Sequence, residues 1–263
     1  MFDNTCKFIA EMYSPDFATW LLGEPITLTK LSPTELSLEP IRADALILLQ
    51  SDEVVLHIEF QTKPDDDMPF RMADYRLRVY RRFPNKRMHQ VVIYLAKTES
   101  DKVYQTTFTT ESLRHEFSVI RLWEQPPSDF LSTPGLLPFA VLSATENKVA
   151  TLQLSAAAVD KIADRRTQSN IAAASAILAG LVLEKDVIER LFRRDIMRES
   201  VIYQQIKTEG KEEGREEGSQ QKAHEIAQNL ITEGMTLEAI ARITGLSVEV
   251  VQQLQQGESE NQK

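Results

Sequence analysis

The stretch that most constrains this chain is Arg42–Gln61, RADALILLQSDEVVLHIEFQ. Ala43 to Leu49 is apolar, Gln50-Ser51-Asp52-Glu53 has turn chemistry, and Val54 to Phe60 is again aliphatic and aromatic. The pattern predicts two strands of a buried sheet joined by a tight turn. Three polar residues interrupt the apolar filling: Asp44 near the start of the first strand, then Glu59 and Gln61 at the end of the second. Side chains two apart on a strand share a face, so Glu59 and Gln61 point the same way. The turn brings the start of one strand beside the end of the other, which places Asp44 opposite Glu59. Two carboxylates converging on an apolar sheet cost free energy unless a proton or a cation offsets them. A divalent metal ion is the expected offset.

The next segment reads Met68-Pro-Phe-Arg71-Met-Ala-Asp-Tyr75-Arg-Leu-Arg78 and predicts a helix over Met68 to Phe83, stopped by Pro84-Asn85. Arg71 and Tyr75 lie one turn apart and share a face of it. Between Arg71 and Gln90 stand Arg71, Arg76, Arg78, Arg81, Arg82, Lys86 and Arg87 against the single carboxylate of Asp74. Such a segment is either a solvated helix face or a contact for phosphates, and the neighbouring carboxylates favour the second.

Asp44 followed by Glu59-Phe60-Gln61 resembles the Asp…Glu-x-Lys signature of the PD-(D/E)XK nucleases, with Gln61 in the lysine place. Together with the M-x-F-R-x-x-x-Y helix behind it, the pattern resembles the Rpn family of recombination-promoting nucleases. Phe2-Asp3…Lys7-Phe8 is similar to that family's opening helix. The motifs cover about Met1 to Leu95, and a looser likeness continues to about residue 205. The resemblance implies an α/β fold with a restriction-endonuclease-like core, ordered helix, three strands, helix, strand, in which helices flank a mixed sheet. It implies Mg²⁺-dependent hydrolysis of DNA phosphodiesters, with Mn²⁺ the alternative ion, in DNA recombination or mobile-element biology. Asp44 and Glu59 are then metal ligands, Gln61 orients the attacking water, and Arg71, Tyr75 and Arg78 meet the DNA. A glutamine can orient water but contributes no charge, unlike the usual lysine.

A competing reading has Asp44 capping a strand and Glu59 paired with Arg42 or Arg71 in a buried ion pair. The Arg/Tyr helix favours the nuclease reading. His57 shares the face of Glu59, yet no histidine stands at metal-ligand spacing from it, so a packed, hydrogen-bonded core residue is expected. Lys63-Pro64-Asp65-Asp66-Asp67 reads as an acidic turn, since adjacent side chains diverge. Asp3 is expected to cap the first helix and Glu11 to be exposed; either residue, or water, completes a metal's contacts.

The net charge of −9 argues against a protein that coats nucleic acid over its whole surface. Cys6 is the sole cysteine, which fits a reducing cytoplasm and permits no internal disulfide. The residues after Met1 carry acids and lack a basic signal-peptide region. The Ala-rich run Ile171–Leu183 is too short to span a bilayer and reads as a buried helix, so no membrane association is expected. No Gly-rich phosphate loop or G-x-S-x-G frame appears, and Cys6 lacks a partner base.

Along the chain, Phe2 to Gly23 predicts two short helices broken at Ser14-Pro15. Thr34–Glu39 predicts an edge strand, Gln90–Ala96 a buried strand and Phe117–Trp123 another. The prolines from Pro126 to Pro138 are expected to carry the chain off the sheet. This gives a nuclease-like core over 1–145 and a helical cap over 146–208, with helices Val149–Arg165, Ser169–Leu183 and Lys185 to Thr208. A charged semi-flexible linker over 209–222 follows, built on Glu209-Gly-Lys-Glu-Glu-Gly214-Arg-Glu-Glu-Gly218. A small helical tail over 223–263 closes the sequence. There Thr236 and Ser247 read as helix caps and Gly245 as the turn of a helix-turn-helix. Its second helix, Ser247 to Gln256, holds Glu249 and no Lys or Arg. Self-association into a homo-oligomer, or contact with a partner protein, is therefore expected of it rather than DNA reading.

Overall fold

The computed structural model describes residues 2–31, 46–192, 196–197 and 199–261. The expected edge strand Thr34–Glu39 and the residues Arg42 and Asp44 lie outside the described residues. The chain divides into two compact units, Met1–Gln204 and Gln205–Lys263.

In the first unit the opening apolar spacing becomes α1 (Phe2–Met12) and α2 (Ser14–Leu22). Pro15 sits in the first turn of α2, where its missing N–H costs nothing. Gly23 closes that helix at φ 79°, donating its N–H to the carbonyl of Thr19 at 3.1 Å. Then come β1 (Thr29–Lys30), β2 (Leu46–Gln50), β3 (Val54–Gln61), α3 (Met68–Arg82) and β4 (Arg87–Tyr94). A separate hairpin of β5 (Thr107–Thr109) and β6 (Arg114–Glu116) precedes β7 (Ser118–Arg121).

Among the described residues the main sheet is five-stranded, in the order β1-β2-β3-β4-β7. Pairing is antiparallel from β1 through β3 and parallel from β3 through β7, so the sheet is mixed. The parallel pair β3/β4 needs a crossover, and α3 supplies it. Strand β3 is therefore the place where the sheet changes sense.

Alternation along β3 divides two environments. Phe60 meets Phe17 of α2 edge-on at 6.3 Å and stacks on Phe139 at 5.7 Å. Val55 packs on the other face with Leu48, Tyr75 and Val79, and Met72 joins Met68, Val92 and Tyr94 under the same helix. Helix α3 thus covers the face carrying Val55, His57 and Glu59, while α2 and the segment holding Phe139 cover the face carrying Phe60.

Several elements differ from the sequence expectation. Thr29–Lys30, not expected as a strand, pairs with β2 at the described edge of the sheet. The last core strand ends at Arg121, because Leu122–Glu124 turns into a 3₁₀ step that buries Leu122. The β5/β6 hairpin was not anticipated; its strands are too short for a periodic signal. The proline-bearing stretch does not leave the sheet. Its buried 3₁₀ run Pro134–Leu142, after a short helix α4 (Ser128–Leu131), brings Phe139 onto Phe60. Helices α5 (Lys148–Val159), α6 (Arg165–Ala179) and α7 (Lys185–Leu191) follow. The single helix expected from Lys185 is interrupted: Phe192 is extended, the chain is helical again at 196–197, and α8 (Val201–Thr232) follows. Fully buried Asn170 of α6 accepts the Val201 N–H at 3.1 Å and so caps the start of α8.

Residues 209–222, expected as a semi-flexible linker, lie inside α8. Glu, Lys and Arg are good helix formers and outweigh glycines that cost about 1 kcal/mol each. In the second unit α8 continues to Thr232, followed by α9 (Leu237–Thr244) and α10 (Val248–Asn261). Ala227, Ile240 and Val251, one from each helix, form its buried centre, joined by Leu230, Leu237 and Leu246. Gly245 ends α9 at φ 75°, and the Ser247 hydroxyl accepts the Val250 N–H at 3.4 Å, as the cap positions predict. Thr236 occupies the N-cap position of α9 without a side-chain bond.

Candidate functional site

Glu59 is the residue from which the site grows. It lies near the end of β3, its side chain is wholly buried, and it faces α3. A buried carboxylate needs a cation or strong donors. Arg71, in the first turn of α3, supplies both: its Nη2 lies 3.1 Å from each oxygen of Glu59. The other guanidinium arm, Nη1, donates to Asp65 Oδ2 at 3.0 Å. Asp65 is itself fixed in the acidic turn, accepting the Asp67 N–H at Oδ1, 3.0 Å away. Burial opposes the charge on Arg71, but Glu59, then Tyr75 and Asp65, overcome it and hold its pKa above the usual value. Its side chain is 27% exposed, so Arg71 lies between the buried carboxylate and solvent.

His57 sits two residues before Glu59 on the same face and is fully buried. Its register partner on β4 is Gln90. Gln90 Nε2 donates to the carbonyl of Met72 at 2.8 Å and lies 3.0 Å from His57 Nδ1. A carbonyl only accepts, so the amide nitrogen must face Met72, and His57 Nδ1 must be the acceptor of its second hydrogen. Nε2 is then the ring nitrogen that carries hydrogen, 3.5 Å from Glu59 Oε1 and without a hydrogen-bond partner. Tyr75 meets the imidazole edge-on, centroids 5.1 Å apart. Burial, then the charge of Glu59, pushes the Tyr75 hydroxyl up to about 12.

Asp3 of α1 belongs to the same electrostatic neighbourhood. Its Oδ1 is buried with no hydrogen-bond partner, and burial, together with the charge of Glu59, raises its pKa. Glu11 instead pairs with Lys30 at 3.0 Å.

The predicted residues are brought together unevenly. Glu59, Arg71 and Tyr75 share one face of β3 and its covering helix. Gln61 closes β3 half-buried, register partner of Tyr94, with its carbonyl accepting the Leu95 N–H at 2.8 Å. Arg78 points elsewhere, donating to Asp74 at 2.8 Å. Asp44 lies outside the described residues. The position opposite Glu59 on β2, expected for Asp44, is held by Leu46. Among the described residues no three of His, Cys, Asp and Glu gather in a metal-binding cluster. Sequence reasoning missed Gln90, Asp65 as the second hold on Arg71, and the Gln90 amide that fixes the His57 ring. The acidic turn just before the helix was the available signal for Asp65; nothing in the sequence links positions 57 and 90.

Comparison with known families gives one finding. Residues 220–256 match the model of the Rpn/YhgA-like nuclease family, C-terminal HTH domain. The match supports Rpn family membership. The Rpn match falls on the second unit, across α8, α9 and α10, where Gly245 forms the turn of the helix-turn-helix. It also agrees with the Rpn resemblance carried by the first unit, where Glu59-x-Gln61 precedes the Arg71/Tyr75 helix. No curated protein and no solved structure matches this chain. Among the described residues no helix is long and apolar enough to cross a membrane.

Proposed function

We propose that this chain is a Mg²⁺-dependent DNA endonuclease of PD-(D/E)XK type, acting in the cytoplasm in DNA recombination or mobile-element biology. The observation that carries the reading is Glu59: a fully buried carboxylate at the strand where the sheet changes sense, with an arginine as its counter-charge. The family match at residues 220–256 is independent support.

Oxygen donors suit Mg²⁺. The unpartnered Oδ1 of Asp3, within the field of Glu59, is the kind of donor that such an ion takes up. Asp44 and Glu59 would hold it, with Asp3 as the third carboxylate. The ion supplies Lewis-acid polarisation of the phosphodiester. Gln61 orients the attacking water by hydrogen bonding. Arg71 and Tyr75 position the scissile phosphate, Arg71 exchanging part of its hold on Glu59 for the phosphate oxygens. Arg78 meets the backbone further along α3. The helix-turn-helix unit gives a second surface toward DNA or a like subunit.

A second reading is favoured by one specific contact. Arg71 already engages both oxygens of Glu59, the arrangement of a structural ion pair. The chain would then be a nuclease fold with a weakened site that binds DNA or protein and assembles through its helical tail.

Cleavage of supercoiled plasmid separates the two. The proposal expects nicking with Mg²⁺, none with EDTA, and none for Asp44→Ala or for Glu59→Gln that still melts cooperatively. A folded wild type that leaves the plasmid intact across Mg²⁺ and Mn²⁺ removes the enzyme reading and leaves the binding module.

A further inference from the structure

Beyond the carboxylate site, the far end of the same sheet carries uncompensated positive charge. Arg81 and Arg82 end α3, and Lys86 and Arg87 lead into β4. Among the described residues none of these four pairs with a carboxylate. The register places this end beside the β2–β3 turn, since Val54 is the partner of Arg87, whereas Glu59 is the partner of Val92. Arg71 and Arg82 stand eleven residues apart on α3, about 16 Å along its axis.

A cavity of about 520 Å³ opens there, lined by Thr27, Thr29, Ser51, Asp52, Arg82 and Lys86, among others. Lys86 is the fixed member. Its Nζ donates to Gln50 Oε1 at 2.8 Å and to the Ser51 carbonyl at 2.7 Å. Its ammonium also lies over the Phe83 ring, 4.7 Å from the centroid. All three partners are neutral, so the side chain is held in place while its charge is left unbalanced and a third N–H is free to donate. Arg82 lies over the same ring at 5.9 Å, exposed. Among the described lining residues the single carboxylate, Asp52, opposes two cations, which leaves the lining with a net positive charge. A fixed ammonium, an exposed guanidinium and the hydroxyls of Thr27 and Ser51 together match the oxygens of a phosphodiester.

We propose that this cavity is an anchoring subsite for a backbone phosphate of duplex DNA, with Arg82 and Lys86 as its charged contacts. The inference takes its ligand from the nuclease reading above but not its chemistry: it needs DNA to be bound, not cut.

The test is the binding of a labelled DNA duplex to the full chain, with EDTA present to prevent cleavage, measured over a range of salt concentrations. Arg82→Gln changes an exposed side chain and keeps the fold. Lys86→Met keeps the aliphatic stem on Phe83, and its melting temperature is checked. Each is expected to weaken binding and to lower the slope of log K against log salt by about one. Arg114→Gln, which removes a cation paired with Glu116 on the β5/β6 hairpin, is the control and is expected to behave as wild type. Because the slope counts neutralised phosphates over the whole chain, contacts by the helix-turn-helix unit do not mask the loss. Wild-type binding with unchanged slopes in both variants overturns the subsite alone. Loss of binding in the variants, alongside a wild type that leaves supercoiled plasmid uncut in Mg²⁺ and Mn²⁺, overturns the nuclease reading and leaves the subsite standing. No DNA binding by the wild type overturns the subsite, and plasmid cleavage with Mg²⁺ decides the nuclease reading separately.

Discussion

Arg71 holds Glu59 with one guanidinium nitrogen and Asp65 with the other, so its removal strands a buried carboxylate. Arg71→Gln is expected to cost roughly 3 kcal/mol, the low end for breaking a buried pair because Arg71 is partly exposed. On the metal reading Mg²⁺ recovers part of that loss, raising the melting temperature more in the variant than in the wild type. Thermal unfolding with and without Mg²⁺ measures both effects. Tyr75 gives a prediction in pH. Its hydroxyl has a folded-state pKa of about 12 against an ordinary 10.0, so the folded protein keeps a proton that the unfolded chain has released. Its contribution is constant below pH 10 and is lost as pH rises from there through about 12. Tyr75→Phe is expected to flatten the alkaline fall in stability over that window, followed by denaturant melts at stepped pH. At this scale Glu59 and Arg71 were legible, because a charged residue inside an aliphatic run marks itself. The link from Met72 through Gln90 to His57 was not, since it depends on a strand register joining residues far apart in sequence.

Gly135 shows what the elements demand of one another. Its N–H donates to Asp16 Oδ2 at 2.7 Å, joining the Pro134–Leu142 run to the start of α2. A Cβ there would lie 2.5 Å from the Cβ of Tyr13, an atom with no rotamer to escape into. Gly135→Ala is expected to destabilise the first unit by about 1–3 kcal/mol, read as a lower urea midpoint. In α8 the sign reverses: a Cβ at Gly218 meets nothing within 4 Å. Gly218→Ala is expected to raise helical circular dichroism and local stability by about 0.5–1 kcal/mol. Long apolar strands and helical spacing could be read directly, as β3, α1 and α2 show, whereas Asp3, expected as the cap of α1, lies inside that helix with an unpartnered Oδ1. The 209–222 stretch could not, because its glycines argue for a linker and its charged residues for a helix, and propensity alone does not say which prevails.

At the scale of the molecule the two units answer to different constraints. The first is organised by a sheet whose aliphatic strands announce themselves. The second rests on a small centre of Ala227, Ile240 and Val251 and leaves Ile226, Met235, Ile243 and Val248 exposed. Exposed aliphatic side chains on so small a helical unit fit the proposal that it mediates self-association. Deletion from Gln205 onward is then expected to lower the mass seen by light scattering to that of a single truncated chain. An unchanged assembly state removes that role from the tail. The outline of the helix-turn-helix was readable from Gly245 and Ser247, whereas its partner was not, since composition names no surface.

Strand β3 also sets limits on how such a protein can change over time. One residue apart along it lie Phe60, stacked among aromatic rings, and Glu59, gripped by an arginine. A single codon lost between Ser51 and Phe60 would exchange their places, burying the acid among the rings and turning a phenylalanine toward the guanidinium. Chemistry and core are thus written on alternate letters of one short word. Drift by insertion or deletion is closed to that word, and only letter-for-letter replacement remains, with the two faces free to vary independently.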